Sequence, residues 1–243
     1  MSEAIYAGIT IAGVGHHLPV LIEDNETLCR ELEVTPEWIL EKTGIARRYI
    51  AAAEDSAADF AFKAGQHAMA MAGVTADCVD LIVVCTFSGD YLFPPVSAKV
   101  QQLLKATHAQ IFDVQANCTG FVTGLTVASD RMKIDPSVRH ALVVAVEFMT
   151  RYIDRTDVNT AIYLSDGAGA ALLSRAAQTF GIQASAFHTD SSNFEAVRMR
   201  GGGSSFRRHG NGFDPSIDLM EMKASRPGSK LLLISPKWFA RLA

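Results

Sequence analysis

Residues 110–133, QIFDVQANCTGFVTGLTVASDRMK, constrain the fold more than any other stretch of this chain. The run Ile111-Phe112-Asp113-Val114 reads as a short buried strand. Cys118 follows at a tight turn, and then a helix begins in which Phe121, Leu125, Ala128 and Met132 recur at helical spacing. Val122, Val127, Gly120 and Gly124 fill most of its remaining first turns. The pattern therefore predicts a helix that is apolar nearly all round until Asp130, the mark of a helix buried inside a protein. The two glycines lower helix propensity locally and let neighbouring segments come close.

That arrangement sets a cysteine where a buried helix starts. Free N–H groups and the helix dipole favour a negative sulfur there. A free thiol titrates near ~8.5, and helix N-termini lower that to roughly 3.5–7.5. The thiolate is the nucleophilic form, so Cys118 is a candidate catalytic nucleophile. The competing reading is a small buried hydrophobe, the usual role of a lone cysteine.

Composition narrows the function classes. Of the 243 residues 49% are hydrophobic and 20% charged, with a net charge of −4, ordinary for a soluble globular protein. That balance carries no nucleic-acid footprint, and the pairs Arg47-Arg48 and Arg207-Arg208 are too small to create one. Cys29, Cys78, Cys85 and Cys118 are widely spaced and form no CxxC pair, which argues against a zinc site or a redox motif. The N-terminus lacks a signal-peptide pattern, and no apolar run reaches the ~18 residues of a membrane span. The expectation is a cytoplasmic protein with no membrane or nucleic-acid partner, no metal and no bound cofactor. A reducing compartment would keep its thiol free.

In chain order, Ile9–Val14 predicts a first strand that turns out through His16-His17, which read as turn or core residues. Asn25 predicts the cap of a helix running to about Glu33. Thr35-Pro36 opens a short helix with Pro at its first position, carrying Trp38, Ile39 and Lys42 and ending at Thr43-Gly44. Trp38, Lys42, Arg47 and Arg48 fall within eleven residues. They could grip a nucleotide by stacking and phosphate pairing, or could be a core Trp with cations around it. Ser56 caps an alanine-rich helix over 57–72 that ends at Gly73. The runs 80–86 and 141–146 are continuous apolar strands, typical of a sheet covered on both faces. Between them lie the aromatic, proline-bearing loop 91–95 and a helix over 97–105. Residues 151–159 read as a polar loop. Residues 161–174, with Asp166-Gly167-Ala168-Gly169, read as a hairpin, because no GxGxxG and no following helix is present. A further strand is expected over 181–189 and a glycine-rich loop over 200–216. The tail 223–243 holds no apolar pattern long enough to assign an element.

Together these residues resemble the β-ketoacyl-acyl-carrier-protein synthase III family, of the thiolase fold. The resemblance rests on GVGHHLP (13–19), EWILEKTGIARR (37–48), DLIVVCTFS (80–88), Phe93-Pro94, FDVQANCTGF (112–121), ALVVAVE (141–147) and SDGAGAALL (165–173). It implies an α/β, thiolase-like layered fold. Residues 1–185 would be largely the N-terminal βαβαβαββ half, and 186–243 an incomplete start of the C-terminal half. It implies a decarboxylative Claisen condensation through an acyl-cysteine at Cys118, with acyl-CoA and malonyl-acyl carrier protein as substrates. Trp38 and Lys42 would hold the CoA nucleotide, and Phe93 would reach a partner subunit's acyl pocket. The implied partners are acyl carrier protein and a second copy, or a thiolase-fold partner subunit.

Two departures from the family pattern stand out. Val158 occupies the place of an arginine that contacts phosphate, which would weaken CoA binding or favour a carrier-protein donor. The HQAN-like and GNTS-like motifs, which hold the family's enolate-stabilising histidine and asparagine, do not occur in these residues. One missing donor of that kind typically costs about 10²–10³ in rate. His188 and His209 are the candidate substitutes. The sequence therefore also fits a non-catalytic or truncated subunit with one apolar face left bare, completed by a partner.

Overall fold

The computed structural model describes residues 8–176, 181–204 and 214–222. Its centre is a five-stranded mixed sheet in the order β1-β7-β6-β4-β5. The strands are β1 (Gly8–His17), β4 (Leu81–Cys85), β5 (Gln110–Val114), β6 (His140–Phe148) and β7 (Asp166–Ala176). β4 pairs parallel with both β5 and β6, whereas β7 runs antiparallel between β6 and β1. Every residue of β4 is buried, as its unbroken apolar run predicted. The alternation of side chains assigns one row to each face. Ile82, Val84, Leu142, Val144 and Leu172 pack under α3 (Ala57–Ala72) and α4 (Val96–Leu104). Leu81, Val83, Cys85, Ala141, Val143 and Leu173 pack under Ala128 and Met132 of α5 (Gly120–Ile134).

The sequence signals for α3 hold to the residue. Ser56 accepts a hydrogen bond from the Asp59 amide, and Gly73 closes the helix at φ 66°. Against β1, α3 lies so close that Gly13 and Gly15 face its backbone directly. The helix α2 (Pro36–Thr43) is likewise capped by Thr35 and stopped by Gly44 at φ 72°. With α1 (Asn25–Leu28), the hairpin of β2 (Leu21–Asp24) and β3 (Arg47–Ile50), and α6 (Val158–Ala161), α2 forms a flap around its own cluster, Leu28, Ile39, Ile153, Ala161 and Ile162.

Several expectations are corrected. The cap of α1 is Asp24, which accepts from the Thr27 amide at 2.8 Å. Asn25 instead donates to the Ile45 carbonyl at 2.9 Å and accepts from Arg48, so it ties the flap together. The 161–174 hairpin does not form. Residues 158–161 are a helical turn, and Asp166–Ala176 is one continuous strand with Gly167 and Gly169 inside it. Asp166 explains the difference. Its buried carboxylate accepts from the amides of Ala51 and Thr150, at 2.8 and 2.9 Å, so it anchors the start of a strand, not a turn. Residues 181–189 are not a strand; Ile182 makes a single sheet-like bond, to the Ile9 carbonyl at 2.7 Å. β8 (Val197–Met199) and β9 (Met220–Met222) form a small separate ladder. The tail 223–243 and His209 lie outside the described residues.

The helix α5 is not buried all round. Gly120, Gly124, Ala128, Ser129 and Met132 face the sheet, but Val122, Val127 and Ile134 are 56%, 39% and 77% exposed. Gly124 shows why the inner face is so small. A Cβ there would fall on the Cys85 sulfur and stand 3.1 Å from Val143 Cγ1.

Candidate functional site

The parallel strands β4, β5 and β6 end at the same edge of the sheet, where α/β proteins gather their ligands. Cys118 follows β5 at that edge. A one-turn 3₁₀ segment, Asn117–Thr119, carries the chain from the strand into α5. Asn117 takes the left-handed conformation at φ 47°, a state that asparagine tolerates better than most residues. The turn presents Cys118 at the surface, the one exposed cysteine of the four. Cys29 and Cys78 are half-buried. Cys85, on the neighbouring strand, lies beneath Gly124, and burial pushes its thiol up to about 11. The chain thus seals one sulfur of this edge in hydrocarbon and leaves the other at the surface. No side chain caps the N-terminus of α5, and the Thr119 hydroxyl turns back to the Ala116 carbonyl at 2.8 Å.

The other sequence candidates lie in two places. Phe93 stands in the loop after β4, at the same edge as Cys118. Tyr91, Leu92 and Phe93 are 74%, 82% and 81% exposed, and the Phe93–Pro94 peptide is cis. Trp38 and Lys42 stand together on α2, with the ammonium 4.5 Å from the Trp ring centroid. A planar ligand stacking on that face would meet Lys42 at once. Arg48 does not join them. Strand alternation turns Arg47 outward and Arg48 into the flap, where it donates to Asn25 at 2.8 Å and to the Ile162 carbonyl. Val158, at the family's arginine position, packs against the flap core. Arg155, three residues earlier, is spoken for by Glu23 at 2.5 Å and Glu31 at 3.2 Å. His188 lies in a stretch without regular structure rather than at a strand end.

Sequence reading missed Glu147. It ends the apolar run of β6 on the same face as Cys85. Its carboxyl accepts hydrogen bonds from the Phe87 amide at 3.2 Å and from the Ser88 hydroxyl. Burial outweighs these bonds and raises its pKa from 4.5 to about 7. A lone carboxylate closing an otherwise hydrophobic strand was the available signal. Because the folded state holds this proton more tightly than the unfolded chain, the stability it confers is complete below about pH 4.5. It is lost as pH rises through about 7. At about 1.4 kcal/mol per pH unit the loss reaches about 3 kcal/mol. Glu147→Gln is therefore expected to raise stability by up to about 3 kcal/mol at pH 8 and to change it little at pH 4.5. Urea unfolding at both pH values checks this, and an equal effect at the two would refute it.

Behind the loop that carries Phe93 opens a cavity of about 610 Å³, bordered by Ser88, Asp90, Tyr91, Phe148, Arg151 and Tyr152. Cys118 does not line it. Among the described residues no helix is long and apolar enough to cross a membrane, and no cluster of three or more His, Cys, Asp or Glu has metal-binding geometry.

Comparison with known proteins agrees with this geometry. Residues 112–191, which begin in β5 and include Cys118, match the family model described as 3-oxoacyl-[acyl-carrier-protein] synthase III. The β-ketoacyl-[acyl-carrier-protein] synthase III of Rhodospirillum centenum is 39% identical over 205 residues, 83% of this chain and 63% of that protein. Its counterpart in Xanthomonas campestris is 40% identical over 197 residues, 81% of this chain and 59% of that one. The chain thus spans less than two thirds of the length of these relatives. Among solved structures, the 3-oxoacyl-(acyl carrier protein) synthase III of Pseudomonas aeruginosa superposes with a TM-score of 0.79 at 27% identity, over 88% of this chain and 64% of that one. The priming β-ketosynthase of the R1128 polyketide pathway gives a TM-score of 0.68 at 34% identity, over 70% and 51%. With the cysteine motif, the order of its flanking strands and the layered sheet all in place, the chain belongs to the 3-oxoacyl-[acyl-carrier-protein] synthase III family.

Proposed function

We propose that this chain carries the acyl-loading centre of a β-ketoacyl-acyl-carrier-protein synthase III, in fatty acid or related polyketide synthesis. The single observation that carries the reading is the exposed Cys118 on a left-handed turn between a parallel strand and the uncapped start of α5. The Cys118 sulfur attacks the carbonyl of an acyl-CoA or acyl-carrier thioester. A new C–S bond forms, the old one breaks, and the free thiol of the donor leaves with a proton. Malonyl-acyl carrier protein then loses carbon dioxide. Its carbanion takes the acyl group, and the Cys118 thiolate is released. Trp38 and Lys42 hold the donor's nucleotide, and Phe93 serves the acyl pocket of a second copy in a cytoplasmic homodimer.

Loading uses Cys118 as its nucleophile. Condensation needs donors for the enolate oxygen, which the family draws from motifs absent from these 243 residues. A second reading, a subunit completed by a thiolase-fold partner, is favoured by the exposed Val122, Val127 and Ile134 on the outer face of α5. Incubation with isotope-labelled acetyl-CoA followed by peptide mass spectrometry tests the loading step. The Cys118 peptide is expected to gain one acetyl group. Cys118→Ala is expected to retain at least about 10⁴-fold less label, in line with loss of a nucleophile. Equal labelling of the variant rejects the proposal.

A further inference from the structure

The loop from Thr86 to Pro95 leaves β4 beside Cys85 and is held by three carboxylates. Glu147 takes its first residues, through the Phe87 amide at 3.2 Å and the Ser88 hydroxyl. Ser88 passes the link on by accepting from the Phe148 amide at 2.8 Å. Asp90, within the loop, accepts from the Ala57 and Ala58 amides of α3 at 2.7 and 3.0 Å. Asp113 of β5 accepts from the Val96 and Ser97 amides of α4 at 2.7 and 2.9 Å, just past its end. Between Asp90 and Val96 the chain touches little. Tyr91, Leu92 and Phe93 point into solvent, and the cavity of about 610 Å³ lies behind them. Anchors, not packing, decide where this tip stands.

We propose that Glu147 is the positioning residue of this loop: the bonds its carboxyl accepts from Phe87 and Ser88 set the placement of Tyr91, Leu92 and Phe93, and through them which acyl chains the Cys118 of a second copy accepts. The last clause rests on the acyl-loading reading above; the rest does not. The anchor changes character near neutral pH, because burial lifts Glu147 to about 7. Ionised, it accepts both bonds as charge-assisted contacts, but it leaves a charge in a poorly hydrated place, a cost that outweighs them. Protonated, one oxygen becomes a donor, and the Ser88 bond must reverse or break. The charged and titratable groups around it are few. The Cys85 thiol on β4 is pushed up to about 11, so it stays neutral. Asp113 stands on β5, Asp166 opposes Phe148 on β7, and Arg151 stacks over the Phe148 ring at 4.7 Å.

Amide hydrogen exchange read by mass spectrometry on the full chain, corrected for the intrinsic pH dependence of exchange, tests the inference without any substrate. Protection of residues 86–95 is expected to fall about tenfold from pH 6 to pH 8.5 in the wild type, because opening the loop hydrates the carboxyl and returns its pKa toward 4.5, and to stay level in Glu147→Gln. Wild-type protection equal within about twofold at the two pH values overturns the proposal. So does a Glu147→Gln response as large as the wild type's. Should that variant not fold, Ser88→Ala serves: it keeps the carboxyl but removes a bond that lowers its pKa, so its pH response is expected to exceed the wild type's, and an equal or smaller response overturns the proposal. A second arm compares labelling of Cys118 by octanoyl-CoA and acetyl-CoA across the same pH range. The ratio is expected to move in the wild type and stay constant in Glu147→Gln; a constant wild-type ratio beside a moving exchange signal overturns the link to acyl choice. Labelling by neither thioester defeats the acyl-loading reading, while the exchange arm still judges the loop.

Discussion

Gly15→Ala is expected to leave little or no folded protein. A Cβ on Gly15 would fall on the Ala64 carbonyl oxygen, 2.5 Å from the Ala68 amide nitrogen and 2.7 Å from His67 Cβ. At Gly13 the same atom would fall on the Ala68 carbonyl, 2.8 Å from the Ala72 nitrogen. These obstacles are the backbone of α3, so no rotamer relieves them. The helix would have to retreat from β1, opening gaps around Ala61, Ala64 and Ala68, which are fully buried. Overpacking usually costs about 1–3 kcal/mol, and a clash with a main-chain oxygen and nitrogen together belongs above that range, at about 4–5 kcal/mol. That rivals the whole stability of many domains. Soluble yield and thermal unfolding by circular dichroism measure it. Gly169→Ala is the control, since nothing lies within 4 Å of a Cβ there; its midpoint is expected to stay close to the wild type's. A Gly15→Ala protein that melts with the control would contradict the packing.

Arg48→Ala is expected to cost about 3–5 kcal/mol, from two buried acceptors left without a donor at about 1–3 kcal/mol each and the lost packing of its stem. Arg48 is 1% exposed, and its place in β3 lies opposite Glu23 of β2. Its guanidinium satisfies Asn25 Oδ1 and the Ile162 carbonyl at once, joining β3 to the segment before β7. Without it, both acceptors are stranded in a poorly hydrated site. Lysine is not an adequate replacement, because a single ammonium lacks the planar fork that reaches two acceptors. Burial also pushes the pKa of Arg48 down, the direction expected of a cation taken out of water. Arg47→Ala, one residue earlier and exposed, is expected to change stability by less than about 0.5 kcal/mol. Urea midpoints for the two variants should therefore differ widely, and equal midpoints would refute the assignment.

Arg47 and Arg48 also show how far sequence reasoning reached. As neighbours in the text they read as one basic patch. Only the strand period separates them, and a four-residue strand bounded by loops gives that period too little length to declare itself. The long elements announced themselves better. α3 carries its cap, its alanine face and its terminal glycine in plain order, and β4 is an unbroken apolar run. Cys118 was legible because strand, turn and helix meet there within a few residues. Glu147 was not, because its meaning lies in a contact 59 and 60 residues away, with Ser88 and Phe87. The glycines of residues 166–169 misled for a related reason. Glycine signals a turn only when the backbone needs it, and here Gly167 instead makes room for Leu18 and the His17 carbonyl of β1.

The pairing of β1 with β7 sets a schedule for synthesis. Gly8 lies opposite Ala176, so the first strand made has no partner until the last strand of the sheet has emerged. At roughly 5–20 residues per second, that wait is on the order of ten to thirty seconds on the ribosome. Meanwhile α3 can form from local contacts, but its glycine-lined seat on β1 cannot lock. Nascent chains halted before β7 should thus be held by chaperones and cut by proteases, and those released beyond it should resist both.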